Sequence, residues 1–75
     1  MVANAYILLN VEPASTQSVV AQLRAVRGAI VHEVLGPYDV IVELEADTQE
    51  DITGILRQRI RPIRGITNTV TCMWF

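Results

Sequence analysis

The sequence is poor in the residues that carry chemistry. Among 75 residues there is one cysteine, Cys72, and one histidine, His32. A single thiol excludes an internal disulfide and any zinc site built from several thiolates. Lysine is absent: all six basic residues are arginine, and eight acidic residues outnumber them, for a formal net charge of −2. With a pI near 5.1, the chain has no electrostatic footprint for nucleic acid. Long apolar runs are missing too, since Ala29-Ile30-Val31 and Val40-Ile41-Val42 fall far short of the ~20 residues that span a bilayer. Met1-Val2-Ala3-Asn4 puts no basic region ahead of an apolar one, so no secretory signal is expected and the location is read as cytoplasmic. The four glycines, at 28, 36, 54 and 65, are too scattered to form a phosphate-binding loop.

What is present is aliphatic. Val, Ile and Leu fill 24 positions and 51% of the chain is apolar, with a mean hydropathy of +0.32. Such a composition excludes disorder, and the length allows a single domain over 1–75. A chain this short hides little more than ~60% of its unfolded surface. The aliphatic surplus therefore predicts burial between chains, with a dimer as the minimum folded unit.

Tyr6-Ile7-Leu8-Leu9-Asn10-Val11 reads as a strand stopped by Pro13. From Ala14 to about Arg27, Val19, Val20, Leu23 and Val26 recur at helical spacing, with Ser15 or Thr16 as cap and Gly28 as terminator. Ile30 to Leu35 and Tyr38 to Glu45 read as strands joined by a tight hairpin at Gly36-Pro37. Asp47 caps a second helix, with Glu50 reaching back, and Ile52, Ile55, Leu56 and Ile60 form its buried face. Arg57, Arg59 and Arg61 fall outside that face. Ile66 to Phe75 forms the last strand.

The order is βαββαβ, and an internal repeat supports it. Leu23-Arg24-Ala25-Val26-Arg27-Gly28-Ala29 recurs 37 positions later as Ile60-Arg61-Pro62-Ile63-Arg64-Gly65-Ile66. Two βαβ halves joined by a hairpin predict an α+β, ferredoxin-like fold: a four-stranded antiparallel sheet with both helices on one face. The other face has no cover of its own, and Ile41, Glu43, Met73 and Phe75, with Leu35 and Thr71, are placed on it. A half-apolar face of this kind predicts a dimer interface, giving a dimeric sandwich or barrel.

Candidate chemistry is sparse. His32 has no nucleophile near it in sequence and is read as a structural or surface histidine, and Cys72, which shares a strand face with Val70 and Trp74, is read as a buried, inert thiol. Asp47, Glu50 and Asp51 are accounted for by helix capping and the helix dipole, without a metal. Gly36-Pro37-Tyr38-Asp39 is either a plain turn or a corner that binds a zwitterion, Asp39 pairing the ammonium and backbone N–H groups receiving the carboxylate. The following Val40-Ile41-Val42 gives it a faint likeness to an RNA-binding strand, but the leading basic residue and paired stacking aromatics are missing.

Together these segments resemble the effector domain of the Lrp/AsnC family of feast/famine transcription regulators, also called RAM for regulation of amino-acid metabolism. The resemblance runs over essentially the whole chain. It rests on Ala5-Tyr6-Ile7-Leu8-Leu9, on Arg27-Gly28-Ala29-Ile30, on Gly36-Pro37-Tyr38-Asp39-Val40 as a Gly-x-Tyr-Asp signature, and on Gly65-Ile66-Thr67 leading to Thr69-Val70-Thr71. Departures are Arg27, where the family commonly has proline, and Arg61-Pro62. The resemblance implies dimers through open sheet faces, assembled into octamers or decamers. It implies an amino-acid effector bound between dimers by Gly36, Tyr38 and Asp39, with Thr69 and Thr71 reading the ligand side chain. It implies no catalysis and no cofactor, and full-length Lrp/AsnC regulators as partners, the present chain being a stand-alone module without their helix-turn-helix part.

Two other readings stand beside this one. One is a purely oligomerising interaction module. The other is a small dimeric ferredoxin-like barrel enzyme using His32 in a cavity between sheet and helices.

Overall fold

A computed structural model describes residues 2–74. Strand β1 (Ala3–Val11) leads through a single 3-10 turn, Pro13–Ser15, into helix α1 (Thr16–Arg24). Strands β2 (Ala29–Glu33) and β3 (Val40–Ala46) follow, then helix α2 (Gln49–Ile55), a wider helical turn over Leu56–Ile60, and strand β4 (Ile66–Trp74). The sheet order is β2-β3-β1-β4 and every pairing is antiparallel. This is the ferredoxin-like arrangement that the element order predicts.

One sheet face packs on the helices. Ala5, Ile7, Leu9 and Val11 of β1 and Val40, Val42 and Leu44 of β3 meet Val19, Val20, Leu23 and Val26 from the first helical segment and Ile52, Leu56, Ile60 and Ile63 from the second. Strict alternation along β1 and β3 puts every second residue into this core. The helix turns supply the matching three- and four-residue spacing.

Local chemistry sets the boundaries. The N-cap of α2 is Thr48 rather than Asp47: its hydroxyl accepts from the Asp51 N–H at 3.1 Å. Ser15, at the N-cap of α1, makes no side-chain bond there. The turn after α2 widens to an i→i+5 bond, Arg61 N–H to the Leu56 carbonyl at 2.8 Å. Pro62 follows directly and has no N–H with which to continue an ordinary helix.

The internal repeat has a structural counterpart. Gly28 and Gly65 each stand just before the strand that follows a helical segment, with φ of +83° and +105°, the only positive values among the described residues. A Cβ on Gly28 would lie 2.6 Å from the Glu45 carbonyl oxygen, which is backbone and cannot swing aside. Gly28→Ala is therefore expected to destabilise the domain by about 1–3 kcal/mol, through strained φ and this clash together, as read by urea unfolding.

The register corrects part of the expected open face. Ala5 pairs with Met73 and Ile7 with Thr71. Met73 and Thr71 thus share the helix side with Ala5 and Ile7, and Met73 packs against the core. Ile41 and Glu43, opposite Leu8 and Tyr6, do lie on the open face. Leu35 is fully exposed, but in the β2–β3 connection rather than in a strand. Phe75, also expected on the open face, lies outside the described residues.

Candidate functional site

The open face can be read row by row from the pairings. Trp74, Asn4 and Glu45 form one row across the strands; Cys72, Tyr6, Glu43 and Ile30 the next; Val70, Leu8, Ile41 and His32 the third. Asn68 and Asn10 close the far end. The middle rows are mainly apolar, and Tyr6 (41% exposed), Ile30 (59%) and Trp74 (44%) leave large surfaces uncovered. Tyr6 and Trp74 stack with ring centroids 5.9 Å apart. Cys72 sits beside Val70 and Trp74 as expected, but their shared face is the open one, so the thiol is exposed rather than buried.

His32 Nε2 lies 2.7 Å from Glu43 Oε2 across the β2–β3 pair, with the carboxylate as acceptor. It is the only ion-pair geometry among the described residues. The ring lies on the open side of the sheet, away from the space between sheet and helices where an enzymatic role would place it.

The signature turn is wider than the expected tight hairpin. Residues 34–39 connect β2 to β3, closed by the Val34 N–H to the Asp39 carbonyl at 3.0 Å. Gly36 has no positive φ, so no backbone strain explains it. The turn is anchored to β1 instead. Asp39 donates its N–H to the Leu9 carbonyl at 2.9 Å, and its carboxylate Oδ2 accepts from the Val11 N–H at 2.8 Å. Asn10 Nδ2 donates to the Pro37 carbonyl at 3.0 Å, and Asn68 Nδ2 to Asn10 Oδ1 at 3.4 Å.

One oxygen of Asp39 is thereby committed to the backbone and is not available for an ammonium. Asp39→Ala would leave the Val11 N–H without its acceptor and is expected to cost about 1–3 kcal/mol in urea unfolding. Asp39→Asn, which keeps an acceptor oxygen, should cost clearly less. Tyr38 is half-buried between this anchor and the turn tip, while Gly36 is exposed.

Thr69 pairs with Leu9, whose carbonyl accepts from the Asp39 N–H, whereas Thr71 pairs with Ile7, one step deeper into the sheet. The groove at this end, about 270 Å³, is lined by Arg61, Ile66, Thr67, Asn68 and Thr69 and takes in neither Tyr38 nor Asp39. Within one chain, then, Thr69 lies near the turn at one end of the sheet, Thr71 lies toward its middle, and this groove does not bring either into one pocket with the turn. Sequence reading missed Asn10 and Asn68, which tie the turn to β4. Their signal is a polar residue in an otherwise apolar strand, at Asn10 after Ile7-Leu8-Leu9.

The model of the Lrp/AsnC ligand binding domain matches residues 4–75. The chain belongs to the Lrp/AsnC family. An uncharacterized HTH-type transcriptional regulator of Pyrococcus horikoshii, PH1916, is 37% identical over 95% of this chain and 50% of its own length. This Lrp/AsnC domain thus spans about half the length of the curated relatives it matches. Among solved structures, FFRP-DM1 superposes with a TM-score of 0.91 at 28% identity, covering 97% of this chain and 99% of that one. E. coli AsnC shares the fold, with a TM-score of 0.88 at 18% identity over 96% of this chain and 50% of its own. The resemblance seen in the Gly-x-Tyr-Asp turn is therefore one of family, and the relatives are transcription regulators. No helix of this Lrp/AsnC domain is long and apolar enough to cross a membrane among the described residues.

Proposed function

We propose that this domain is an effector-binding module of a transcription-regulatory system, which dimerises through its open sheet face and senses an amino acid at a junction between dimers. The observation that carries the assembly is the uncovered band of Tyr6, Leu8, Ile30, Ile41, Val70 and Trp74. A standard interface takes about 800 Å² from each partner, about a sixth of the 4994 Å² this chain exposes. Stacked Tyr6 and Trp74 supply the large, stiff aromatic surface that dominates such contacts.

The signature turn supports the sensing half. Gly36, Tyr38 and Asp39 stand at a sheet end, pinned to β1 and exposed in part, and none of them lines the groove at Arg61. A neighbouring dimer would complete the site, and Thr69 would face the same junction. Ligand bound there favours the assembly that forms the junction, by mass action, and has no catalytic step. The same linkage would let the module join full-length Lrp/AsnC regulators and alter their assembly.

Thermal melts of the chain with a panel of amino acids at millimolar concentration test this reading. At a hundredfold excess over the dissociation constant, an effector should stabilise by about 2.7 kcal/mol, a shift of several degrees in a domain this small. No shift with any amino acid would reject the sensing role and leave oligomerisation alone.

A further inference from the structure

The groove at Arg61 has a chemistry that the signature turn does not share. Its lining offers a guanidinium, two threonine hydroxyls, a carboxamide and one aliphatic side chain, with no carboxylate. Arg61 is exposed and has no acidic partner among the described residues. Guanidinium is a fixed fork of donors that matches the two oxygens of a carboxylate, and adjacent hydroxyls can add further donors.

β4 is irregular at this point. Its pairing runs Asn10 to Asn68 and then Val11 to Ile66, which leaves Thr67 as an extra residue with no partner across β1. Such a bulge bends the strand and re-aims side chains at binding sites more often than elsewhere. Here it falls among the residues that line the groove.

The groove is also joined to the signature turn. Asn68, part of its lining, bonds to Asn10, and Asn10 bonds to the Pro37 carbonyl. That strip crosses from β4 over β1 to the β2–β3 connection, about 10 Å at ordinary strand spacing. Arg61 itself needs no ligand to serve helix α2, because Arg57 and Arg59 already place positive charge at the C-terminal turn.

We infer that this groove receives a side-chain carboxylate of the effector, with Arg61 as its specificity residue, so that the effector is an acidic amino acid. The inference rests on the effector-binding reading above. The turn end of the strip takes the ammonium and α-carboxylate, and Arg61 takes the second carboxylate. An amide in that place would offer the guanidinium one acceptor oxygen instead of two and no charge.

Isothermal titration calorimetry on the whole chain decides it, with glutamate, aspartate, glutamine, asparagine, glutarate and inorganic phosphate as titrants. Glutamate or aspartate should bind at least tenfold more tightly than its amide. R61Q should abolish that preference by weakening the acid at least tenfold, R61K should restore part of it, and R59Q, on the same segment but outside the groove, should leave it intact. Circular dichroism on each variant should match the parent, since both arginines are exposed. Equal binding of acid and amide, or a preference that survives R61Q, would overturn the inference while leaving the effector reading in place. Glutarate or phosphate binding as tightly as glutamate would overturn the assignment to an amino acid. Failure of all four amino acids to bind would overturn the inference, while the thermal melts with the wider panel decide the effector reading itself.

Discussion

Ile41→Glu is expected to leave a folded monomer where the parent chain forms the proposed dimer. Ile41 sits in the middle of the open face, with Leu8 opposite it on β1 and His32 opposite it on β2. It is half-exposed in the single chain, so a carboxylate there is solvated and the monomer fold is little disturbed. In a two-fold interface the same position occurs twice, and each copy would bury an uncompensated charge. Breaking the balance of a buried charge costs about 3–5 kcal/mol, so the dimer dissociation constant should rise by about a hundredfold or more. Sedimentation equilibrium at micromolar concentration reads the change, and far-UV circular dichroism checks that the variant remains folded. An unchanged dimer would mean that the chains meet elsewhere.

The second large effect belongs to the core. Ile7 is wholly buried at the centre of β1, with Val42 on one side and Thr71 on the other. Ile7→Ala removes a side chain from the core between sheet and helices, and such truncations cost about 2–5 kcal/mol. At the usual per-residue range a chain of this length has roughly 4–11 kcal/mol in all, so the substitution removes a large share of it. Urea unfolding should show a lowered midpoint with an unchanged slope. If the chains dimerise as proposed, mass action should raise the unfolding midpoints of parent and variant alike as protein concentration increases. Independence from concentration would argue that folding and assembly are not coupled.

These two substitutions also mark how far the fold was legible in the sequence. β3 alternates, with Val40, Val42 and Leu44 on one side and Ile41, Glu43 and Glu45 on the other, so its faces follow from period two alone, whereas the apolar run Tyr6-Ile7-Leu8-Leu9 leaves those of β1 open in the sequence. β4 does not alternate in hydrophobicity: Val70, Cys72 and Trp74 compete with Met73 and Phe75 for the core side. A one-residue difference in register flips every side chain, and the bulge at Thr67 provides that difference. Met73 and Thr71 were accordingly assigned to the wrong face, and Cys72 was read as buried. Ile41 and Glu43, on the cleanly alternating β3, were placed correctly.

The candidate site was legible in position more than in chemistry. Gly36-Pro37-Tyr38-Asp39 falls between the two strands it was expected to join, but as part of a six-residue connection held by bonds to β1. Bonds of that kind join residues 27 or 28 positions apart, and no local propensity encodes them. The Asp39 carboxylate, which alone suggests an ammonium partner, gives one oxygen to the Val11 N–H for the same reason. Arg61 stood out in the sequence only as a departure from the family pattern, and it gains a chemical meaning from the groove it lines.

Assembly and ligand binding are proposed to be one linked process. Native mass spectrometry of the chain, with and without a panel of amino acids that includes glutamate and aspartate, measures both at once. The expected spectrum without ligand consists of dimers and multiples of the dimer; with the effector, larger assemblies gain intensity and carry the added ligand mass. A spectrum of monomers at micromolar concentration, unchanged by every amino acid, would contradict it.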